Sequence, residues 1–193
     1  RSTLFPYTTL FRSAGKIIRR VREFVKKSEP RRSAVGIAEI IEDAIGFVDF
    51  DARRVSGRIT LDMERDLPAV FADRIMIEQV IINLVKNGLD AMAGLSRDER
   101  ELIVRVRKTG KRSVEVAVID RGHGIGEEEK RQLFSPFYTT KAEGMGLGLN
   151  ICRSIIEFHD SSLIVDSNPE GGTIFAFTLP TEAIVSEKLV RRA

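Results

Sequence analysis

Four short motifs follow one another along this 193-residue chain, and their order limits the folds that the chain can adopt. Asn83–Asn87 lies in a segment whose apolar residues repeat at helical spacing, whereas Asp120–Gly126 directly follows a strand-like run. Leu133–Phe137 comes next, and the glycine-rich Gly144–Leu149 opens a further helical pattern. Each motif alone is a weak signal. The ordered set predicts a mixed helix-and-strand domain in which the motifs form one nucleotide-binding site.

Composition and charge fit a soluble globular protein. Hydrophobic residues make up 42% of the chain and charged residues 31%, and no apolar run approaches the roughly 20 residues of a membrane helix. The net charge of +3 is too small to predict a nucleic-acid partner. The single cysteine, Cys152, excludes an intrachain disulfide and suits a reducing, cytoplasmic location. A longer natural protein with a membrane attachment stays compatible with these observations.

The sequence pattern at the start of the chain differs from that of the rest. Residues 1–13 resemble the translation of a DNA-sequencing adapter, and we expect them to be an artefact; the alternative is an ordinary N-terminal tail. We expect residues 14–32 to be the end of a helical domain, residues 33–182 to form the main domain and residues 183–193 to be a tail. The natural protein would then continue upstream.

Three segments have the apolar period of amphipathic helices. Ala14–Lys27 carries arginines and lysines opposite its apolar stripe. The segment Ile37–Val48 forms a second helix, with Ser33 as its expected cap. Asp73–Ala93 has the broadest apolar face, and Gly94 is expected to end it.

Strands and short helices account for much of the remainder. Alternating or β-branched runs predict strands at Gly57–Asp62, Ala69–Phe71, Leu102–Lys108, Ser113–Ile119, Ser162–Asp166 and Thr173–Leu179. Shorter helices are expected at Glu127–Leu133 and Leu147–Phe158. The sum is an α+β fold, a two-layer sandwich of a mixed sheet with helices on one face, preceded by an N-terminal helical remnant.

Two asparagines are candidate ligands. Asn83 and Asn87 are four residues apart, so they lie on one face of an otherwise apolar helix. Amide oxygens suit a hard cation such as Mg²⁺, which keeps several waters and binds phosphate oxygens. The alternative is a pair of solvent-exposed asparagines without a ligand.

The second motif combines a carboxylate with three alternating glycines. Asp120 follows a buried strand, where its side chain can accept a hydrogen bond from the exocyclic amine of adenine. Gly122, Gly124 and Gly126 are expected to adopt positive φ and to let the backbone pass close to the base. The alternative is a plain Asp-Gly turn. The spacing does not match the dinucleotide-binding fingerprint.

The fourth motif has the composition of a phosphate-binding helix start. Gly144, Gly146 and Gly148 surround Leu147, where the helical pattern begins. Such a junction presents backbone N–H groups and the positive end of the helix dipole to phosphate. Lys141 stands just upstream and can reach the same phosphates.

The segment between the third and fourth motifs is expected to act as a lid. Tyr138–Met145 is polar and contains few anchoring residues. Phe134 and Phe137 are expected to be core residues that seat this lid rather than ligand contacts. Cys152 is expected to be an inert, partly buried helix residue.

The four motifs resemble the N, G1, F and G2 boxes of sensor histidine kinases. The similarity extends over roughly residues 14–180. Thr139–Lys141, the glycine-rich Gly144–Leu149 and Asn168–Thr173 especially resemble the nitrogen- and oxygen-sensing subgroup. The resemblance implies a Bergerat-type domain that binds ATP and Mg²⁺. Residues 14–32 are similar to the last part of the dimerisation hairpin in that family.

The resemblance also implies roles for particular residues and partners. Asn87 would hold Mg²⁺, Asp120 would recognise adenine, and Thr173 would lie beside the base. The phosphates and their transfer would involve Asn83, Lys86 and Lys141. The γ-phosphoryl would pass to a histidine on a dimerisation domain and then to the receiver aspartate of a response regulator. The full-length protein would be a homodimer through the missing hairpin.

Two features depart from the family pattern. No match to the histidine-bearing helix is present, and neither His123 nor His159 is a credible phosphoacceptor. Asp160 and Ser161 stand where the subgroup has a glycine pair, which should alter a helix end but not the pocket.

Function classes other than kinase activity stay open at this point. An ATPase of the gyrase, mismatch-repair or chaperone type resembles this chain but has a glutamate in place of Asn83 to deprotonate water. A serine-phosphorylating relative is disfavoured by the upstream helix pattern. A nucleotide-binding module without catalysis is the remaining alternative, since the target histidine is absent.

Overall fold

The computed structural model describes residues 31–110, 112–139 and 146–181. The chain divides into two units between Arg32 and Ser33, and every helix and strand below belongs to the second unit. Residues 14–30 of the expected helical remnant and the expected C-terminal tail lie outside the described residues, as do two of the predicted site residues, Lys141 and Gly144. Within the described part of the chain, no helix is long and apolar enough to cross a membrane.

A five-stranded mixed sheet forms one layer of the domain. Its strands in spatial order are β2 (Arg58–Met63), β4 (Glu101–Thr109), β5 (Ser113–Ile119), β7 (Thr173–Pro180) and β6 (Ile164–Ser167). The β2–β4 pair is parallel and the other three pairs are antiparallel. A separate antiparallel ribbon joins β1 (Ser33–Val35) to β3 (Val70–Ala72).

The described residues contain four α-helices, which are α1 (Ile37–Arg54), α2 (Arg74–Ala91), α3 (Glu127–Gln132) and α4 (Gly148–Phe158). The second layer consists of α1, α2 and α4, each of which has a buried face, whereas α3 has no buried residue. The buried residues of α1 recur at helical spacing, as in Ile37, Ile40, Ile41, Ala44 and Val48. Asp73 caps the start of α2, since its carboxylate accepts the N–H of Met76 at 3.1 Å.

The core lies between the helices and one face of the sheet. Alternate residues of the central strands point inward, so Val116 of β5 faces Val106 on one side and Phe177 on the other. All three side chains are almost fully buried. The predicted two-layer α+β sandwich is therefore confirmed, and the positions of its helices and strands agree with the periodic segments to within a few residues.

Two predicted helix boundaries are wrong. Ser33 does not cap α1, because its backbone pairs with Ala72 in the β1–β3 ribbon and Gly36 precedes the helix instead. Gly94 does not end α2, which stops at Ala91. The guanidinium of Arg100 binds the carbonyls beyond this end, including Ala93 O at 2.9 Å, so a distant side chain supports the helix terminus.

Candidate functional site

Asp120 occupies the end of β5 and is 3% exposed. Its Oδ1 accepts the backbone N–H of Gly122 at 2.8 Å and that of Thr173 at 3.2 Å. Burial raises the pKa of the carboxyl, while these two hydrogen bonds and the charge of His123 oppose the rise. The fold thus buries a carboxylate that can accept hydrogen bonds, and one of its two oxygens, Oδ1, is already bonded to backbone N–H groups.

The loop between β6 and β7 clamps the main chain of Asp120. The Asn168 side-chain amide donates to Asp120 O at 2.9 Å. Gly172 has φ +91, and a Cβ placed on it would lie 2.2 Å from the same oxygen. Only glycine fits there. The sequence predicts these residues only as the connection of a hairpin, since their contacts with Asp120 span 48 residues or more.

The glycines of the second motif serve three different purposes. Gly124 has the predicted positive φ, +74, and a Cβ on it would lie 3.5 Å from Gly172 O. The prediction of positive φ is wrong for the other two, Gly122 and Gly126. Gly122 is needed for space, because a Cβ on it would be 2.7 Å from Cβ of Ala91. Gly126 is extended and precedes α3.

The α2 helix passes directly beside Asp120. A Cβ on Gly88 would lie 3.3 Å from Cβ of Asp120, so helix and strand end are in close contact at this point. Asn87 is the adjacent residue and is partly buried. The fold therefore brings the first and second motifs together, as the sequence predicted for one site.

Asn83 lies further back along α2 and faces the start of α4. A Cβ on Gly148 would be 3.1 Å from Asn83 Oδ1. Asn83 also lies close enough to Cys152, one turn into α4, to oppose the rise in the pKa of its thiol. The first and fourth motifs are thus in contact as well. The first motif lies on α2, and the second and fourth motifs both contact this helix.

The third motif is joined to the fourth by the backbone. Phe137 donates its N–H to Gly146 O at 3.0 Å, and Gly146 has φ +64 with Phe137 directly against it. Leu147 precedes α4, and its carbonyl accepts the N–H of Ile151. Phe134 packs against the core, as expected. The core role predicted for Phe137 is wrong, since it is 38% exposed and contributes its main chain instead.

Lys86 is ion-paired with a residue that sequence reasoning did not select. Its Nζ lies 2.9 Å from Oδ2 of Asp51, in the last turn of α1. The hydrogen bond and charge of Lys86 lower the pKa of the Asp51 carboxyl. No local signal in the sequence marks Asp51, because the two residues lie on different helices and are 35 positions apart.

His159 and Cys152 are buried structural residues. The Nε2 of His159 accepts the N–H of Asp73 at 3.0 Å, and its Nδ1–H donates to Ile155 O at 2.8 Å. The ring therefore ties the end of α4 to the start of α2. Cys152 is fully rather than partly buried, and burial raises the pKa of its thiol to about 12, which makes it inert.

Comparisons with known proteins agree with this geometry. A family described as histidine kinase-, DNA gyrase B-, and HSP90-like ATPase matches residues 72–183. The C4-dicarboxylate transport sensor protein DctS of Rhodobacter capsulatus is 45% identical over 88% of this chain and 26% of DctS. The sensor protein FixL of Bradyrhizobium diazoefficiens is 43% identical over 86% of this chain and 33% of FixL. The chain thus spans about a quarter to a third of these relatives.

Solved structures show the same fold. The catalytic domain of histidine kinase ThkA is 30% identical, with a TM-score of 0.69 over 78% of this chain and 96% of the other. ThkA in complex with the response regulator protein TrrA is 27% identical, with a TM-score of 0.68 over 94% of this chain and 52% of that one. The chain belongs to the histidine kinase-, DNA gyrase B-, and HSP90-like ATPase family, and it carries the ATP-binding catalytic domain of the sensor histidine kinase branch.

Proposed function

We propose that this domain binds Mg·ATP along α2 and transfers the γ-phosphoryl group to a histidine on a dimerisation domain. The observation that carries the proposal is the convergence on one helix of Asp120, of Asn83 with Asn87, and of the glycine-opened α4. The phosphohistidine would then supply a receiver aspartate of a response regulator. The named relatives, which are sensor proteins, support this assignment over the other classes of the family.

The base would lie against the end of β5. Asp120 Oδ1 is already bonded to the backbone, so Oδ2 is the oxygen for the exocyclic amine of adenine. Thr173 is the adjacent buried polar residue, and Gly122, Gly124 and Gly126 carry the backbone past the base. Such a buried acceptor favours a ligand that offers an N–H at this place.

The phosphates would lie between the asparagines and the start of α4. The first N–H groups of a helix have no intrahelical acceptor, so the segment from Gly146 through Leu147 to Gly148 can donate to phosphate oxygens. Asn83 would orient the phosphates from α2. Lys86 and Lys141 would add positive charge, and Gly144 would contribute from the segment outside the described residues.

The residues present fit a magnesium ion that is bound chiefly through the nucleotide. Among the described residues, no three His, Cys, Asp or Glu side chains form a group that could hold a metal ion. Asn87 would supply one amide oxygen, and the phosphates and waters would complete the coordination that Mg²⁺ prefers. When bound, the ion would neutralise charge on the phosphates during transfer.

Transfer to protein is favoured over hydrolysis by the side chain at position 83. Asn83 is an amide and cannot deprotonate water, whereas hydrolysis needs a carboxylate at a comparable place. An ATPase that releases phosphate is therefore the second candidate. A nucleotide-binding module without catalysis is the third.

The remainder of the assignment concerns the longer protein. The relatives are three to four times longer than their matched parts, which leaves room for a histidine-bearing dimerisation domain. We propose a homodimer through that domain and a cytoplasmic location for this one. The solved complex of ThkA with a response regulator supports a receiver domain as the downstream partner.

The test uses the 193-residue chain, γ-labelled ATP, magnesium and a separately produced dimerisation domain. We expect acid-labile, alkali-stable label on the added domain and little release of free phosphate. Calorimetry with a non-hydrolysable ATP analogue should show binding. Binding together with rapid phosphate release would favour the ATPase, and binding without label or release would favour the passive module.

A further inference from the structure

Lys86 lies between two candidate partners, the carboxylate of Asp51 and the phosphates of the proposed nucleotide site. It lies on α2 between Asn83 and Asn87, so its backbone borders the phosphate end of the proposed site. Its ammonium instead contacts Asp51 on α1, with Nζ 2.9 Å from Oδ2. The four-carbon stem of lysine is flexible, so one side chain can serve both places in turn.

The exposure of this pair indicates that it is weak enough to exchange. The side chains are 49% and 32% exposed for Lys86 and Asp51. Ion pairs of this kind alter an equilibrium by no more than about five-fold. A triphosphate offers several charged oxygens in place of one carboxylate, so it can displace Asp51 at small cost.

We infer that Asp51 is the resting counter-ion of Lys86 and competes with nucleotide phosphate for it. Asp51 would then be a positioning residue that holds the ammonium at the rim of the site until ATP arrives. This inference rests on the proposed function, because it requires phosphates near Asn83 and Asn87. It adds a residue of α1 that tunes nucleotide affinity from outside the four motifs.

The principal test removes the charge of Asp51 and measures Mg·ATP-analogue binding by calorimetry. Asp51→Asn should bind two- to five-fold more tightly than the wild type, because Lys86 loses its competing partner. Asp49→Asn is the matched control: it removes an equal charge from the same helix, but Asp49 pairs with Arg53 rather than with α2. It should leave the affinity unchanged.

A double-mutant cycle separates competition for Lys86 from a general structural effect. In a Lys86→Gln background, Asp51→Asn should no longer raise affinity. If the gain persists there, or if Asp51→Asn and Asp49→Asn act alike, the inference is overturned. If the wild type binds no nucleotide, the proposed function itself fails, which is a different result from wild-type binding with no Asp51 effect.

A second measurement does not depend on any variant. Carboxyl NMR of the wild type should show the pKa of Asp51 below its ordinary value without nucleotide, because Lys86 lies beside it. Saturation with the ATP analogue and magnesium should raise this pKa. The rise would be incomplete, since Arg54 still lies near Asp51. An unchanged pKa at saturation would show that Lys86 never leaves Asp51.

Discussion

The base end and the phosphate end of the candidate site are built in different ways. At the base end, Asp120 is 3% exposed and is held by backbone N–H groups and by the tightly packed Gly172. At the phosphate end, Asn83 is only partly buried and Lys86 is 49% exposed in its side chain. The main chain holds the acceptor at the base end, whereas the phosphate end combines side chains on a helix face with the backbone N–H groups that open α4.

The two ends lose different amounts of conformational entropy when a nucleotide binds. A backbone-fixed acceptor loses little conformational entropy when a base arrives, so recognition there is preorganised. Flexible side chains must be ordered, or exchanged from other partners, when phosphates bind. We therefore expect changes at the base end to affect folding and affinity strongly, and changes at the phosphate end to tune affinity.

The largest effect is expected from filling the space at Gly172. Gly172→Ala would place a Cβ 2.2 Å from Asp120 O at a residue with φ +91. Strain and overpacking together should lower the free energy of unfolding by about 3 kcal/mol or more. Denaturant titration of the variant measures this loss.

Gly171 offers a control that separates backbone strain from lack of space. It has φ +96, but a Cβ there meets nothing within 4 Å. Gly171→Ala should cost about 1–2 kcal/mol through strain alone. Equal losses for the two variants would show that the close approach to Asp120 is not what makes Gly172 necessary.

Next in size is the effect of Asp120→Asn on nucleotide binding. The amide keeps Oδ1 for its two backbone donors but turns an N–H₂ toward the adenine amine. A mismatch of this kind should weaken ATP binding by roughly ten- to hundred-fold. Calorimetry with a non-hydrolysable analogue measures it, and an unchanged affinity would contradict the base assignment.

Asp120→Asn should be no less stable than the wild type near neutral pH, so that its loss of affinity reflects nucleotide recognition rather than folding. Because burial raises the folded-state pKa of Asp120, the ionised carboxyl disfavours the fold above that pKa. This destabilisation is lost as pH falls through the raised pKa toward the unfolded-state pKa of about 3.9. The melting temperature of Asp120→Asn should therefore exceed that of the wild type at pH 7, with the gap closing in acid. A lower melting temperature at pH 7 would contradict this reading.

A smaller effect is expected at the phosphate end from Gly148→Ala. The new Cβ would lie 3.1 Å from Asn83 Oδ1 and would shift that amide by a few tenths of an ångström. We expect ATP affinity to fall about two- to five-fold while the free energy of unfolding changes by less than about 1 kcal/mol. Paired calorimetry and denaturant titration test the two parts.

Gly46→Ala is the matched control for that substitution. Gly46 lies in the interior of α1, and a Cβ there meets nothing within 4 Å. The change should stabilise the fold by about 0.5–1 kcal/mol through helix propensity, without any effect on affinity. If Gly148→Ala behaved in the same way, Asn83 would not be the residue that it displaces.

The smallest effect is expected at Asp160, far from both ends of the site. Asp160 has φ +57 and closes α4, with Ser161 N–H donating to Ile156 O at 3.1 Å. Aspartate itself therefore adopts the left-handed conformation that favours glycine. Asp160→Gly should raise the free energy of unfolding by up to about 1 kcal/mol and leave affinity unchanged. A loss of stability would show that the aspartate side chain contributes more than its backbone costs.

Local patterns predicted much of the fold because helices and strands leave a period in the sequence. The apolar stripe of α1 and the alternation in β4, β5 and β7 are visible without any knowledge of neighbours. Boundaries were less predictable. Ser33 has the composition of a helix cap, yet pairing with Ala72 decides its conformation, and that partner lies 39 positions away.

The candidate site shows the same division. Asp120 and the asparagines carry recognisable chemistry in their local context. The residues that hold these groups in place cannot be recognised in this way. Asn168, for example, resembles a turn residue until its contact with Asp120 O is known. Asp51 likewise resembles any acidic residue on a helix surface until Lys86 is found beside it.

Local patterns are enough to locate the helices and strands and to find the motifs that supply a carboxylate, amides and glycines in the order of an ATP-binding domain. The way in which these groups are held is visible in the folded chain alone: which glycine must lack a Cβ, which oxygen of Asp120 is already bonded and which partner Lys86 has. The cause is the range of the interactions. Periodicity and residue chemistry act within a few positions, whereas close packing and ion pairing join residues that the fold alone makes neighbours.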